Sequence, residues 1–278
     1  VADRTQPRLT IVSGCDARYY RCEYQLLRSL RRHPRAVERV VVYDLGMAGR
    51  QRTRIERLGG PWFALEVRDF PFDEYPPLVR RLRSYAWKAP IVCTVLDQVR
   101  APVLWLDSAT IVLRDLAPVA RCATATGTYV PFGGTGDVRE FGHPTALAAL
   151  GVSEPELDWR LRAGGVVALD GTSDRVLALA RQWAELSLRE ECISPPGASH
   201  ANHRYDQLIL TILLERARIE CGLELTLDEL DISSAHPTPL LTSRNKTGSN
   251  VPEWLDPVLW RFFAIRRMTN AISNRLLP

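Results

Sequence analysis

Residues 103–112 read Val103-Leu104-Trp105-Leu106-Asp107-Ser108-Ala109-Thr110-Ile111-Val112, an aliphatic run that stops on a carboxylate and then resumes. An apolar stretch of this length predicts a central strand of a parallel sheet, buried on both faces. In open α/β sheets the ligand crevice lies beyond the carboxyl ends of such strands, which puts Asp107 where it can meet a ligand or a metal. A carboxylate that merely ends the strand and opens a turn fits the same letters. The neighbouring segments have to decide.

Working outward, residues 8–13 (RLTIVS), 39–43 (RVVVY) and 63–67 read as further short strands. Between them, residues 19–32 carry Tyr20, Tyr24, Leu27 and Leu30 on one helical stripe, and residues 50–58 form a helix closed by Gly59-Gly60. Tyr75-Pro76-Pro77 opens a helical region that the Ala89-Pro90 bond is expected to interrupt or restart before residues 91–99. This alternation predicts parallel βαβ units with right-handed crossovers through residue 113. Beyond it the pattern loosens. Residues 129–132 and 164–169 are expected strands, residues 132–136 (FGGTG) a flexible loop, and residues 174–189 and 205–219 helices. From Pro252 onward a basic, aromatic stretch predicts a terminal helix packed on the core. The expected class is α/β: a mixed, mostly parallel central sheet flanked by helices.

Composition narrows the function. With 278 residues, 46% hydrophobic and 24% charged, the chain can bury a large core. Its net charge of +4 is scattered over several helices, which argues against a nucleic-acid protein. No apolar run reaches membrane-spanning length. The sequence begins at Val1, so a removed N-terminal signal or anchor stays open. Of 36 basic residues only Lys88 and Lys246 are lysine. That arginine bias suggests a bacterial origin, with a cytoplasmic location expected, and marks each retained lysine as a candidate for a specific role. Six dispersed cysteines without a CxxC spacing are expected to be free thiols, with a Cys15–Cys22 bridge left open. Asn245-Lys246-Thr247 is a lone glycosylation sequon.

Several chemistries drop out. There is no GxGxxG after the first strand, no GxxxxGK[ST], no GxSxG and no HExxH. His200 and His203 stand three apart, a spacing that suits a metal but is more common for two exposed loop histidines. What remains is a set of acids at strand ends, Asp16, Asp44 and Asp107, which in a doubly wound sheet would share one rim.

At these residues the chain begins to resemble a family. The stretch from Ile11 through Asp16 to Tyr19, followed by residues 26–30, resembles the opening of the family-8, glycogenin-like GT-A glycosyltransferases. Ser84-Tyr85-Ala86-Trp87-Lys88 is similar to their helix carrying a basic residue, and Trp105-Leu106-Asp107 to their strand ending in a DxD motif. Ala163-Gly164-Gly165-Val166 resembles their NAGV strand, and Tyr205-Asp206-Gln207 their DQ pair. A smaller, functionally uncharacterised family of nucleotide-diphospho-sugar transferase type is closer still. It shares Val42-Tyr43-Asp44-Leu45-Gly46, Tyr85-Ala86-Trp87-Lys88, Trp105-Leu106-Asp107-Ser108, Cys192-Ile193-Ser194-Pro195 and His203-Arg204-Tyr205-Asp206-Gln207. The matches together reach from residue 9 to about residue 214.

The resemblance implies one GT-A-like domain over 1–278: a nucleotide-binding half (1–113), an acceptor and catalytic half (114–250) and the C-terminal basic-aromatic helix (251–278). It implies transfer of a sugar from a nucleotide-diphosphate donor of the UDP-sugar type to an acceptor hydroxyl, with retention at the anomeric carbon. Asp206 and Gln207 would sit at the anomeric carbon or the donor sugar. Asp16 and Tyr19 would line the base and ribose. Asp44, Lys88, Asp107 and Ser108 complete the donor site, with Lys88 on phosphate or sugar. Asp107 would hold Mn²⁺ or Mg²⁺ bridging the phosphates, with His236 as the loose counterpart of the family's late histidine. The second carboxylate of the motif is replaced by Ala109. That substitution supports an alternative, a non-catalytic domain that binds a nucleotide sugar or a protein partner. A nucleotidyltransferase would show a Gly-rich, basic loop after the first strand, which Gly14-Cys15-Asp16 does not provide.

Overall fold

The computed structural model describes residues 6–230 and 236–242. In its first half β1 (Leu9–Cys15), α1 (Tyr20–Arg32), β2 (Val37–Asp44), α2 (Gly49–Glu56) and β3 (Ala64–Asp69) alternate as expected. The helical region expected from Tyr75 is instead a chain of short 3-10 turns ending at Ser84, after which α3 (Lys88–Val99) runs uninterrupted into β4 (Pro102–Leu106). Pro90 does not break α3, because it lies in the first turn, where a backbone N–H has no intrahelical acceptor to lose.

The second half begins with β5 (Thr110–Val112), α4 (Ala117–Thr126), β6 (Thr128–Tyr129), β7 (Phe132–Asp137), α5 (Val138–Phe141) and α6 (Pro144–Ala149). It continues with β8 (Arg160–Arg162), β9 (Val166–Asp170), α7 (Asp174–Ser187), α8 (Glu190–Ile193), α9 (Tyr205–Cys221) and β10 (Leu240–Thr242). The expected loop at 132–136 is the strand β7, paired antiparallel with β8 through an irregular register. Its glycines carry no side chain to signal a strand, and such positions often mark bulges. The terminal helix expected from Pro252, the sequon and Lys246 lie outside the described residues.

Six strands form the central sheet in the order β3-β2-β1-β4-β9-β6. Strands β1 to β4 are mutually parallel, and β9 runs antiparallel to both of its neighbours. Two cores cover the two faces, and alternate side chains of the apolar strands feed them. Ile11, Val40, Val42, Leu104 and Leu106 meet Leu26, Leu27 and Leu30 of α1 on one side. Val12, Val41, Val103 and Trp105 meet α3, α7 and α9 on the other. This double covering is why the strands read as unbroken hydrophobic runs. From Tyr205 to Glu215 nearly every residue of α9 is buried, so the helix shows no polar stripe.

Inside the second half a buried ion pair ties β8 to α9. Arg162 Nε lies 2.8 Å from Glu215 Oε1, and Arg162 Nη1 donates to the carbonyls of Val130 and Thr226 at 2.9 and 2.8 Å. None of the six cysteines is in a disulfide, so Cys15 and Cys22, both buried, form no bridge. No helix among the described residues is long and apolar enough to cross a membrane.

The strand order places the site. From β1 the chain builds β2 and β3 to one side, then crosses back to lay β4 on the other side of β1. The carboxyl ends of β1 and β4 therefore flank a topological switch point, where the crossovers diverge and leave a crevice.

Candidate functional site

A cleft of about 780 Å³ occupies this switch point. Its walls are the end of β1 (Gly14, Cys15, Asp16), the residues after β4 (Asp107, Ser108, Ala109), the start of α3, the Gly164-Gly165 turn before β9, and the start of α9. The volume lies within the roughly 300–1,000 Å³ range of small-molecule sites.

Its floor is built around one buried ammonium. Lys88, in the first turn of α3, has a side chain only 2% exposed. Its Nζ lies 3.0 Å from Asp107 Oδ1 and 2.8 Å from Asp206 Oδ2, and donates to the Gly164 carbonyl at 3.0 Å. Trp105 Nε1 donates to the same Asp107 Oδ1 at 2.7 Å, from two residues back on the same face of β4. Burial opposes the charge on Lys88, but Asp107 and Asp206 more than offset it and hold the ammonium above its ordinary range. Asp206 is shifted upward as well. Burial raises its pKa, and the nearby Lys88 offsets part of that rise. With three partners Lys88 has engaged all of its ammonium donors. In this arrangement it holds the two carboxylates in place, where the resemblance implied a contact with phosphate or sugar.

Backbone and glycine geometry make room for this cluster. A Cβ on Gly165 would lie 3.0 Å from Asp107 Oδ2, and one on Gly164 would lie 3.0 Å from Gln207 Cβ and 3.2 Å from Asp206 Oδ2. Tyr85 and Tyr205, which precede Lys88 and Asp206, adopt φ of 57° and 44°. Left-handed backbone at a bulky residue is strained, and such strain gathers at functional sites. The two rings approach to 5.6 Å between centroids and join His200 to form an aromatic wall of the cleft.

Of the residues singled out from sequence, Asp16, Tyr19, Lys88, Asp107, Ser108, Asp206 and Gln207 line this cleft. Asp44 and His236 do not. Asp44 Oδ1 accepts from the N–H groups of Gly46 and Met47 at 2.8 and 2.6 Å, and Oδ2 faces Arg52, so its carboxylate shapes the turn after β2. His236 is exposed, and its carbonyl accepts from the Glu229 N–H. His203, read as an exposed loop histidine, is fully buried. Its Nδ1 accepts from the His143 N–H and its Nε2 donates to the Ile193 carbonyl, an arrangement that leaves no lone pair for a metal. Burial first, with His143 adding, lowers its pKa to about 4.

Sequence reasoning missed Glu23, Arg18 and Arg83. The two arginines line the cleft but sit among 34 arginines, so nothing in composition marks them. Glu23 hid on the apolar stripe of α1. It is fully buried, accepts from Ser13 Oγ at 2.7 Å on Oε2, and has no partner on Oε1. Burial raises its pKa to about 7; the Ser13 hydrogen bond opposes the rise and Asp107 adds to it. The fold therefore holds an extra proton between the unfolded value of 4.5 and about 7, and stability is lost as pH rises through that window. Glu23→Gln should leave acid stability unchanged and raise stability above pH 7 by about 3 kcal/mol. In that variant the remaining His203 should make stability fall as pH drops from 6.5 towards 4. Identical pH profiles of melting for wild type and variant would show that Glu23 does not titrate in this window.

The donor atoms at the end of β4 fit a divalent cation poorly. Such ions take about six oxygen ligands, mostly from carboxylates, carbonyls and water. Asp107 is the one carboxylate there, its Oδ1 already holds an ammonium and an indole N–H, and Ala109 replaces the second. Among the described residues no three His, Cys, Asp or Glu side chains are grouped to hold a metal.

Comparison with known proteins bears on this fold. A sequence family described as "Protein of unknown function (DUF1647)" matches residues 2–93, about a third of the chain. No curated protein matches. Among solved structures, the apo form of the glycosyltransferase GlyE of Streptococcus pneumoniae TIGR4 is similar over 98% of this chain and 64% of its own, at 14% identity and a TM-score of 0.53. This chain thus spans less than two thirds of GlyE. Mouse xyloside xylosyltransferase 1 is similar over 88% of this chain and 99% of its own, at 10% identity and a TM-score of 0.49. The galactosyltransferase LgtC, solved with donor and acceptor sugar analogs, is similar over 73% of this chain and 70% of its own, at 16% identity and a TM-score of 0.45. The likeness to GlyE shows a shared fold, the GT-A type of α/β architecture.

Proposed function

We propose that this chain is a glycosyltransferase that moves a sugar from a nucleotide-diphosphate donor to an acceptor hydroxyl, with retention at the anomeric carbon. The observation that carries the reading is the convergence of Lys88, Asp107 and Asp206, with Gln207 beside them, at the switch point of a GlyE-like sheet. Base and ribose lie along Asp16 and Tyr19, and the donor sugar reaches Asp206 and Gln207. In the reaction the bond from the anomeric carbon to a diphosphate oxygen breaks, the acceptor oxygen bonds to that carbon, and the departing diphosphate takes the acceptor proton.

Each residue then has a physical task. The anomeric carbon becomes electron-poor as its bond to the leaving group lengthens. The Asp206 carboxylate, held rigid by Lys88 at the start of α9, presents negative charge to that carbon in a low-dielectric cleft, where fixed charges act most strongly. The Gln207 amide borders Gly133, and orients the sugar through its hydroxyls. Asp107 keeps Lys88 charged and completes the floor.

The test is release of nucleoside diphosphate from a panel of UDP-, GDP-, dTDP- and CDP-sugars, with and without sugar acceptors, the product linkage being read by NMR. One donor class should turn over, and Asp206→Asn should slow it roughly 10²–10³-fold when assayed well below its melting temperature, which falls because the substitution also removes a counterion of the buried Lys88. Absence of turnover with every donor, or an Asp206→Asn variant as fast as the parent, would remove this assignment.

A further inference from the structure

The cleft carries positive charge that neither the fold nor the Lys88 cluster uses. Arg18 follows β1 and Arg83 lies in the last 3-10 turn before Tyr85. Both are exposed, both line the cleft, and neither makes an ion pair among the described residues. The third cleft arginine, Arg204, is already occupied: it donates to the His200 carbonyl and stacks on the Phe141 ring at 3.7 Å. Lys88 is closed to a ligand by its three partners. The end of β4, where the resemblance implies a metal, offers one carboxylate that already faces an ammonium.

On the reading that the cleft takes a nucleotide-diphosphate donor, we infer that Arg18 and Arg83, in place of a divalent cation, neutralise the diphosphate, so that the donor binds without metal. A guanidinium is charged at every physiological pH and presents a planar fork that matches two phosphate oxygens at once. Two such forks supply the double positive charge that one Mn²⁺ or Mg²⁺ would bring. They also face the charge that gathers on the diphosphate as the glycosidic bond breaks, where fixed donors lower the barrier. The Lys88 cluster, with two carboxylates to one ammonium, is net negative and would repel a diphosphate left uncompensated. The arginines therefore bear directly on affinity, and Ala109 is tolerated because no second ligand is needed.

The experiment measures binding, independent of turnover. Melting temperatures of the purified chain are recorded with UDP, GDP, dTDP and CDP, each in EDTA and in Mn²⁺, while the electron paramagnetic resonance signal of free Mn²⁺ reports how much ion the protein takes up. One nucleotide should raise the melting temperature equally in both buffers, with no Mn²⁺ bound beyond what the nucleotide alone holds. Arg18→Ala and Arg83→Ala, whose side chains are exposed, should melt like the parent without ligand and bind that nucleotide about tenfold more weakly each. A shift seen only with Mn²⁺, accompanied by uptake of the ion, would overturn the inference and leave the donor reading standing. Equal shifts in both buffers with undiminished binding by both variants would overturn the role of the arginines. No shift with any nucleotide in either buffer would remove the donor reading and this inference with it.

Discussion

Lys88→Met should destabilise the chain by about 3–5 kcal/mol at neutral pH, the usual result of removing one partner from a buried ion pair. Methionine fills nearly the same volume, so the loss is electrostatic and leaves little cavity. Asp107 is partly exposed and can turn to water, whereas Asp206 is left as a buried charge without a counterion. The variant can relieve that charge only by protonating Asp206, so the deficit should shrink in acid. Lys88→Met with Asp206→Asn should recover most of the stability, because the double change removes the stranded charge itself. Donor turnover should fall roughly a hundredfold or more in both variants, since the single change frees the two carboxylates from their fixed geometry and the double change removes the Asp206 carboxylate itself. Urea denaturation at neutral and acid pH measures the first effect. A deficit below about 1 kcal/mol, in the range of an exposed pair, would mean that the cluster is solvated and not buried.

The second large effect lies in the Arg162–Glu215 pair. Arg162 is 3% exposed and holds Glu215 together with the carbonyls of Val130 and Thr226. Arg162→Met leaves a buried carboxylate and two carbonyls without their donor, and should also lower stability by about 3–5 kcal/mol. Glu215 keeps Arg218 on its other oxygen, so part of its charge stays compensated. Arg162→Met with Glu215→Leu should be markedly milder than Arg162→Met alone, because well-packed apolar pairs replace buried ion pairs at little cost. If the double variant is as unstable as the single one, the hydrogen bonds to the Val130 and Thr226 carbonyls, and not the ion pair to α9, are what anchor Arg162.

The parts of the molecule readable from sequence share one physical origin. Strands β1, β2 and β4 announced themselves because burial on both faces demands unbroken apolar runs, and Asp107 stood out because it ends one. Lys88 stood out through the scarcity of lysine. What stayed hidden depended on distance in the chain. That the ammonium faces two carboxylates follows only from bringing α3, β4 and α9 together. Asp44 has the same local signature as Asp107, an acid at a strand end, yet its carboxylate caps its own turn, since an Asx turn and a ligand site share one spelling. The 3-10 turns before α3 and the glycine strand β7 were misread because proline and glycine reveal where regular structure breaks and not what replaces it. The left-handed Tyr85 and Tyr205 leave no trace in residue type at all.

The way Lys88 is held also bears on how the chain can be divided and in what order it folds. Its hydrogen bond to Gly164 spans 76 residues, and Asp206 lies farther along still. Contacts of such separation close only after their loop entropy has been met, so they form late in folding. A segment ending at residue 93, the stretch shared with the DUF1647 family, would contain the lysine and none of its three partners. Its ammonium would have nothing to justify burial and would turn to water, opening the first turn of α3. The segment to residue 93 is therefore expected not to order Lys88 when detached. The second half of the chain completes it, and an ordered Lys88 is a sign that the whole fold has closed.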